Sequence, residues 1–143
     1  MKEKIDTINQ KIKELSSLYR VAASKSGISD GEVCIWSVLL CSEEEYSQQD
    51  LSDLLFLPKQ TVNSIISNFV KKGFVCLEHV LGTRNRKVVR LTEAGKDYGE
   101  ENVMWIFRAE ERALEQADSG QVQVFIEMIE TYTSNLKKEI DGK

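Results

Sequence analysis

Two clusters of polar side chains in the middle of the chain have the chemistry of nucleic-acid contacts. The first lies along residues 59–71, where helical spacing places on one face Lys59, Gln60, Asn63, Ser64, Ser67 and Lys71. Amides can pair with adenine edges, hydroxyls with several bases, and lysines with phosphate or guanine. No carboxylate interrupts this face, which suits contact with a polyanion, although a solvated polar face is also ordinary for an amphipathic helix. The apolar residues that we expect to face inward are Val62, Ile65, Ile66, Phe69 and Val70.

The second cluster is a basic loop between two runs typical of strands, 74–80 and 87–91. It contains Arg84 and Arg86, with Lys87 directly after it, and at a hairpin tip an arginine has no core to pack against. Between Leu57 and Leu91 there are seven basic residues against one acidic residue, a net charge of +6. The remainder has 12 basic against 22 acidic residues, a net charge of −10. This asymmetry favours binding of a polyanion at one surface only.

A helix-turn-helix followed by a hairpin can position these side chains. Ser47 is a candidate cap for a short helix, with Asp50 as the other half of a capping box. Pro58 suits the start of the next helix, predicted over Lys59–Lys72 and ending at Gly73. Because the first helix supports the second in a major groove, we predict DNA contacts from both helices and from the hairpin. The predicted DNA-binding residues are Ser47, Gln48, Lys59, Gln60, Thr61, Asn63, Ser64, Ser67, Lys71, Arg84, Arg86 and Lys87.

Amphipathic helices are predicted at both ends of the chain, about 1–25 and from about residue 120 onwards. Their apolar residues recur every three or four positions, as in coiled coils. A small winged core cannot cover both stripes, and isolated helices are marginal, so we predict pairing with a second copy. Packing within the same chain is the alternative. The predicted dimer residues are Ile5, Ile8, Ile12, Leu15, Phe125, Ile129, Tyr132 and Leu136. Before the last helix, Thr92 is predicted to cap one helix running to about Glu115.

The sequence offers little for catalysis or metal binding. His79, the only histidine, stands three residues from Cys76 on a predicted strand, where an odd offset sends side chains to opposite faces. Cys34 and Cys41 lie about 10 Å apart along a helix, too far for one zinc ion or a disulfide. We therefore expect no enzyme, no cofactor and no metal site. All three cysteines lie in apolar runs, which predicts buried and inert thiols; a redox-sensing thiol is the alternative.

Composition indicates one folded domain over residues 1–143. The chain is 41% hydrophobic and 29% charged, which is typical of a folded protein rather than a disordered one. No run approaches the roughly 20 apolar residues of a membrane span. The first 15 residues lack the apolar segment of a signal peptide. We expect a cytoplasmic protein without a membrane partner.

The chain resembles the MarR-type winged-helix regulators over nearly its whole length. The specific part runs from Ser47 to Lys96 and includes SQQDLSDLL (47–55), TVNSII (61–66), KKGFV (71–75) and RLTEAGK (90–96). The resemblance implies a mainly α fold with a two-stranded β wing, a winged part at about 30–92 and dimerisation helices at about 1–25 and 93–143. It also implies a homodimer on a pseudo-palindromic double-stranded DNA operator, acting as a repressor, with activation as the alternative because the family also contains activators. The family often has an Asp two residues before a wing Arg, whereas residues 83–86 here read TRNR, so the groove-inserting arginine stays open.

Many members of this family bind small, often phenolic, molecules between the dimer helices and the winged part. The resemblance therefore implies a small-molecule effector, with a pocket lined by Tyr19, Trp36, Met104 and Trp105. Plain core packing of these side chains is the alternative. A winged helix can also dock on a protein instead of DNA. The +6 segment argues for DNA, because a protein-binding face would be more apolar and less uniformly charged.

Overall fold

The computed structural model describes residues 1–143 as seven helices and one two-stranded antiparallel sheet. The elements in chain order are α1 Lys2–Lys25, α2 Asp30–Cys41, α3 Gln48–Leu55, α4 Lys59–Lys71, β1 Val75–His79, β2 Lys87–Leu91, α5 Glu93–Asn102, α6 Met104–Glu115 and α7 Ser119–Asp141. The predicted mainly α fold with a two-stranded wing is confirmed. The chain divides into two compact units, Met1–Ile106 and Phe107–Lys143. No helix combines the length and the apolar character that crossing a membrane requires.

Side-chain caps fix the starts of three helices in the first unit. At α3 the Asp50 N–H donates to Ser47 Oγ at 3.1 Å, and the Ser47 N–H donates to Asp50 Oδ2 at 2.9 Å. The predicted capping box is therefore confirmed. Ser29 and Glu32 form a second box at α2, which the sequence reading had not identified. Thr92 caps α5 as predicted. Each cap satisfies amides that a helix start leaves without a partner.

An aromatic cluster around Trp36 holds α2, α4 and α5 together. The Trp36 ring lies 4.8 Å from Phe69, 5.8 Å from Phe74 and 5.5 Å from Tyr98, measured between ring centroids. Phe74 and Tyr98 stack on each other at 4.3 Å. Aromatic pairs of this kind contribute about 0.5–1.5 kcal/mol each beyond the burial of their area. The cluster thereby fixes α4, which carries the candidate contact face, against the rest of the winged part.

The wing is a hairpin whose root is anchored in the core. Its register pairs Val75 with Leu91 and His79 with Lys87. Val88 and Val89 on β2 are buried. The segment before α3 adds an unpredicted bridge, in which the Val89 N–H donates to the Tyr46 carbonyl at 2.8 Å. The base of the wing is therefore held from both sides, whereas its tip projects.

The predicted single helix from Thr92 to about Glu115 is wrong, because the helix breaks at Val103. The Val103 backbone leaves helical geometry (φ −125°, ψ −37°), and its side chain is fully buried. The carbonyl of Asn102 accepts a hydrogen bond from Ser26 Oγ at 2.8 Å, and Trp105 Nε1 donates to the same hydroxyl at 2.8 Å. These tertiary bonds to the end of α1 satisfy polar groups at the break. A local helical pattern contains no signal for them.

The prediction that Val70 faces inward is also wrong, since its side chain is 43% exposed. The buried residues of α4 are Val62, Ile65, Ile66 and Phe69. At 3.6 residues per turn, Val70 points about 90° away from the centre of that set. It therefore lies at the edge of the apolar stripe, one residue before the helix ends.

Candidate nucleic-acid interface

The predicted polar face of α4 is a continuous exposed surface. Its members are Lys59, Gln60, Asn63, Ser64, Ser67 and Lys71, and each of them is exposed. Thr61 does not join them, because it is half-buried beside Gly31 of α2. The helix is held from the opposite side by its four buried apolar residues. Hydrogen-bonding side chains therefore project from a rigid support, as base-edge contacts require.

Ser47 and Gln48 lie at the start of α3, where both are half-buried. The Ser47 hydroxyl oxygen accepts the Asp50 N–H, so it is committed to the cap as an acceptor. Its own hydroxyl proton can still be donated, for example to a phosphate oxygen. Exposed backbone and side-chain donors near a helix start are common contacts to the DNA backbone.

The wing tip is an ordered turn with basic residues on its returning side. The Val80 N–H donates to the Arg86 carbonyl at 2.8 Å, and the Thr83 N–H donates to the Val80 carbonyl at 3.2 Å. Arg84, Arg86 and Lys87 are all exposed, as predicted. The hairpin therefore presents cations on a defined backbone rather than on a loose loop.

Two arginines of the basic segment are tied to carboxylates, which the sequence reading missed. Arg86 Nη2 donates to Asp50 Oδ2 at 2.8 Å. Arg90, counted as part of the +6 charge, pairs with both Glu45 and Glu78. These two acidic residues raise the pKa of Arg90, with Glu45 the larger cause. Both arginines are thus oriented by the protein itself.

Five basic side chains of the same segment make no ion pair within 4.0 Å: Lys59, Lys71, Lys72, Arg84 and Lys87. Lys72 was not among the predicted contact residues, although the charge count included it. These cations lie along α4, at its end and at the wing. They leave the candidate interface positive even though the whole chain carries a net charge of −4.

The four residues proposed to line an effector pocket have different surroundings. Trp36 is 0% exposed at the centre of the aromatic cluster, so it offers no surface to a ligand and that prediction is wrong for it. Its indole Nε1 has no hydrogen-bond partner. Trp105 is 38% exposed and bonded to Ser26, Tyr19 is 37% exposed, and Met104 is half-buried. Two shallow grooves on the surfaces of α1 and α7 include none of the four.

The predicted burial of all three cysteines is wrong. Cys41 and Cys76 are exposed, and Cys34 is half-buried; none forms a disulfide. Cys76 is exposed because only the first residue of β1, Val75, reaches the core. Burial, and then Asp30, raise the pKa of the Cys34 thiol and so disfavour its reactive thiolate. No group of three or more His, Cys, Asp or Glu side chains could hold a metal ion.

The apolar stripes of the terminal helices remain exposed in the single chain. In the first unit, Ile5, Ile8, Ile12 and Leu15 of α1 are 42–52% exposed. In the second unit, α7 has no buried residue, and Phe125, Ile129, Tyr132 and Leu136 are 40–55% exposed. Packing within each unit therefore leaves a large apolar surface on its terminal helix.

The fold of the chain is similar to the folds of solved structures that include MarR family regulators. No family model and no curated protein matches the sequence. NMB1585, a MarR family regulator from Neisseria meningitidis, is similar over 96% of both chains, with 15% identity and a TM-score of 0.83. A MarR/EmrR family transcriptional regulator from Acinetobacter sp. ADP1 is 24% identical, with 99% of this chain and 97% of that chain covered and a TM-score of 0.69. Staphylococcus aureus MarR in complex with salicylate and kanamycin is 16% identical over 96% and 93% of the two chains, with a TM-score of 0.69. The chain therefore has the fold of the MarR family of transcriptional regulators.

Proposed function

We propose that this protein is a sequence-specific, double-stranded DNA-binding transcriptional regulator. The observation that carries the proposal is the combination of a carboxylate-free, exposed face on α4 with a basic wing in the same winged fold. The α4 helix enters the major groove, where Gln60 and Asn63 read base edges. Arg84 and Lys87 follow the adjacent backbone or minor groove. The unpaired cations supply the attraction to phosphates that most of the acidic chain lacks.

The regulator acts as a homodimer in this proposal. The exposed apolar stripes on α1 and α7 support it, because covering them with a second copy removes their surface from water. A two-fold dimer presents two α4 helices to DNA, so its operator is pseudo-palindromic with half-sites about one helical turn apart. The winged part at about 30–92 then reads DNA, while the flanking helices hold the two copies together in the cytoplasm.

We further propose repression that a small-molecule effector relieves. The support is the likeness in fold to the Staphylococcus aureus MarR structure, which contains salicylate. Of the predicted lining residues, Tyr19, Met104 and Trp105 remain candidates because each keeps accessible surface. An effector that favours a different spacing of the two α4 helices weakens binding, since both helices must match the DNA repeat at once.

Fluorescence anisotropy tests the proposal directly. Duplexes selected by the wild-type protein from a random pool are titrated across a salt series with wild type and the Arg84→Ala/Lys87→Ala variant. We expect tight, sequence-preferring binding that weakens steeply with salt, and a salt slope shallower by about one for each phosphate contact removed. Lys2→Ala/Lys4→Ala removes the same charge outside the basic segment and should leave the slope unchanged.

One result would contradict the function itself. If the wild-type protein enriches no duplex and shows no salt-dependent affinity, the basic surface does not meet DNA. Docking on an acidic protein partner would then be the better explanation, since the fold permits it. The exposed Phe56 side chain, 93% accessible in the turn before α4, is an observation that favours that second candidate.

A further inference from the structure

The loop of the wing carries an apolar side chain in a position where folding does not require one. Leu81 is 92% exposed. It is the second residue of a turn closed by two hydrogen bonds to the Val80 carbonyl, from the Thr83 N–H at 3.2 Å and from Thr83 Oγ1 at 2.7 Å. Gly82 takes the positive φ of 82° at the third position. This arrangement is that of a type II turn, in which the second position accepts most residue types.

Leu81 therefore contributes nothing visible to the stability of the single chain. A polar or proline residue would satisfy the turn equally well and would avoid an apolar group in water. The hairpin root, by contrast, buries Val88 and Val89 in the core. The exposed leucine lies in a hydrogen-bonded turn of the loop that joins the two strands, outside the anchored part of the wing.

The charges around Leu81 indicate what could cover it. No acidic residue lies between Val80 and Lys87, whereas Arg84, Arg86 and Lys87 follow within six residues. An apolar side chain flanked by cations suits a DNA groove, where the cations hold phosphates and the apolar group meets sugars and base edges. Leucine is one of the side chains that proteins insert between base steps from the minor groove.

We propose that Leu81 is a minor-groove wedge that partly unstacks one base step in each half of the bound DNA. The inference rests on the proposed DNA-binding function. The wedge selects sequence without a hydrogen bond, because pyrimidine–purine steps unstack more easily than others. Leu81 is thus a specificity-determining residue, and Arg84 and Lys87 hold the wing at the groove.

The test uses the full chain and a duplex that the wild-type protein selects, with 2-aminopurine placed in turn at each flanking adenine. Wild-type binding should increase 2-aminopurine fluorescence at a step under the wing and bend the duplex, measured by energy transfer between its ends. Leu81→Ala should abolish both signals and weaken binding roughly tenfold, or about 1.4 kcal/mol. Its salt slope should stay that of the wild type, because no charge is removed. Leu81→Met should keep the fluorescence change.

Leu54→Ala provides the matched control, since Leu54 is a half-exposed leucine on α3 outside the wing. It should bind and unstack DNA as the wild type does. If the wild type binds but Leu81→Ala matches it in affinity and fluorescence, the wedge is overturned while DNA binding stands. If Leu81→Ala loses affinity but wild-type binding leaves the 2-aminopurine fluorescence unchanged, insertion of Leu81 between bases is overturned as well. Absence of salt-dependent binding by the wild type instead overturns the proposed function.

Discussion

Arg86 Nη2, on the returning side of the wing tip, donates a hydrogen bond to Asp50 Oδ2, the same oxygen that accepts the Ser47 N–H in the α3 capping box. One carboxylate thus joins the start of the helix-turn-helix to the wing. The side chains of the pair are 42% and 37% exposed, so its stabilising contribution is modest, about 0–1 kcal/mol. Its main effect is orientation: it fixes one edge of a guanidinium whose other donors stay available to phosphate.

Asp50→Asn tests this orienting role. The amide can still accept at the cap, but it carries no charge to hold Arg86, and a negative charge next to the candidate interface disappears. We expect affinity for non-cognate DNA to rise roughly threefold to tenfold, because a freed cation adds sequence-independent attraction. The ratio of cognate to non-cognate affinity should fall. Anisotropy titrations of a selected and a scrambled duplex measure both quantities.

The control for that variant is Asp53→Asn on the same helix. Asp53 accepts a hydrogen bond from Gln49 and makes no ion pair with the wing. The Asp53→Asn variant removes an identical charge at a different place on α3. If the two variants change both affinities equally, the effect is general electrostatics and Asp50 does not orient Arg86.

The same carboxyl group predicts a dependence of stability on pH. The Ser47 N–H, and after it the Arg86 guanidinium, lower the pKa of Asp50 from its ordinary value of 3.8. A carboxyl whose pKa is lower in the folded state stabilises the fold fully above its unfolded pKa, and this contribution is lost as pH falls through the folded pKa. The difference in unfolding free energy between wild type and Asp50→Asn should therefore be constant from neutral pH down to about pH 5 and shrink below about pH 4.

Urea denaturation followed by circular dichroism at several pH values measures this difference. Arg86→Ala should retain most of the pH dependence, because the larger cause, the Ser47 N–H, is still present. If Arg86→Ala instead loses the pH dependence of stability completely, the ion pair, rather than the cap, lowers the pKa of Asp50.

Phe56 predicts a stabilising substitution. It is the only non-glycine residue with positive φ (53°), and its side chain is 93% exposed. A side chain in the left-handed region costs about 1–2 kcal/mol, and only part of this is regained by the greater freedom of glycine in the unfolded state. Phe56→Gly should therefore raise the free energy of unfolding by roughly 0.5–1 kcal/mol, measured by urea denaturation.

Phe56→Ala separates the backbone from the ring. Alanine removes the aromatic group but keeps the β-carbon that the left-handed conformation disfavours, so its stability should match the wild type. Equal gains from glycine and alanine would mean that the exposed ring, rather than the backbone conformation, was the unfavourable feature.

Features set by neighbours in the sequence were predictable. The Ser47–Asp50 box needs only a three-residue spacing, and the exposed face of α4 follows from the spacing of its buried residues. The hairpin is equally local, since its strands are separated by one short polar loop. These features depend on backbone geometry that a few adjacent residues determine.

Features that join distant residues could not be read in this way. Asp50 and Arg86 are 36 positions apart, and Glu45 and Arg90 are 45 apart, with no periodicity to connect them. The break at Val103 follows the same rule, because polar groups there bond to Ser26, the residue directly after α1. The sequence left core packing and pocket lining both open for Trp36, since an aromatic residue on a helix has the same pattern in either role.

The last prediction concerns the terminal stripe on α7. Ile129→Glu places a charge in the centre of an exposed apolar row that includes Phe125 and Tyr132. If this row pairs with a second copy, burying an unpaired carboxylate there is costly, and the variant should be monomeric by analytical ultracentrifugation at concentrations where the wild type is dimeric. Its affinity for a two-half-site operator should fall by roughly a hundredfold, since the second half-site is no longer bound in the same event.

Ser134→Glu adds the same charge on the opposite side of α7 and provides the control. It should leave both the dimer and the affinity intact. A wild-type protein that sediments as a monomer while binding the operator tightly would contradict the dimer. The exposed rows on α1 and α7 would then need a different partner, because apolar surface of this extent is not left in water without one.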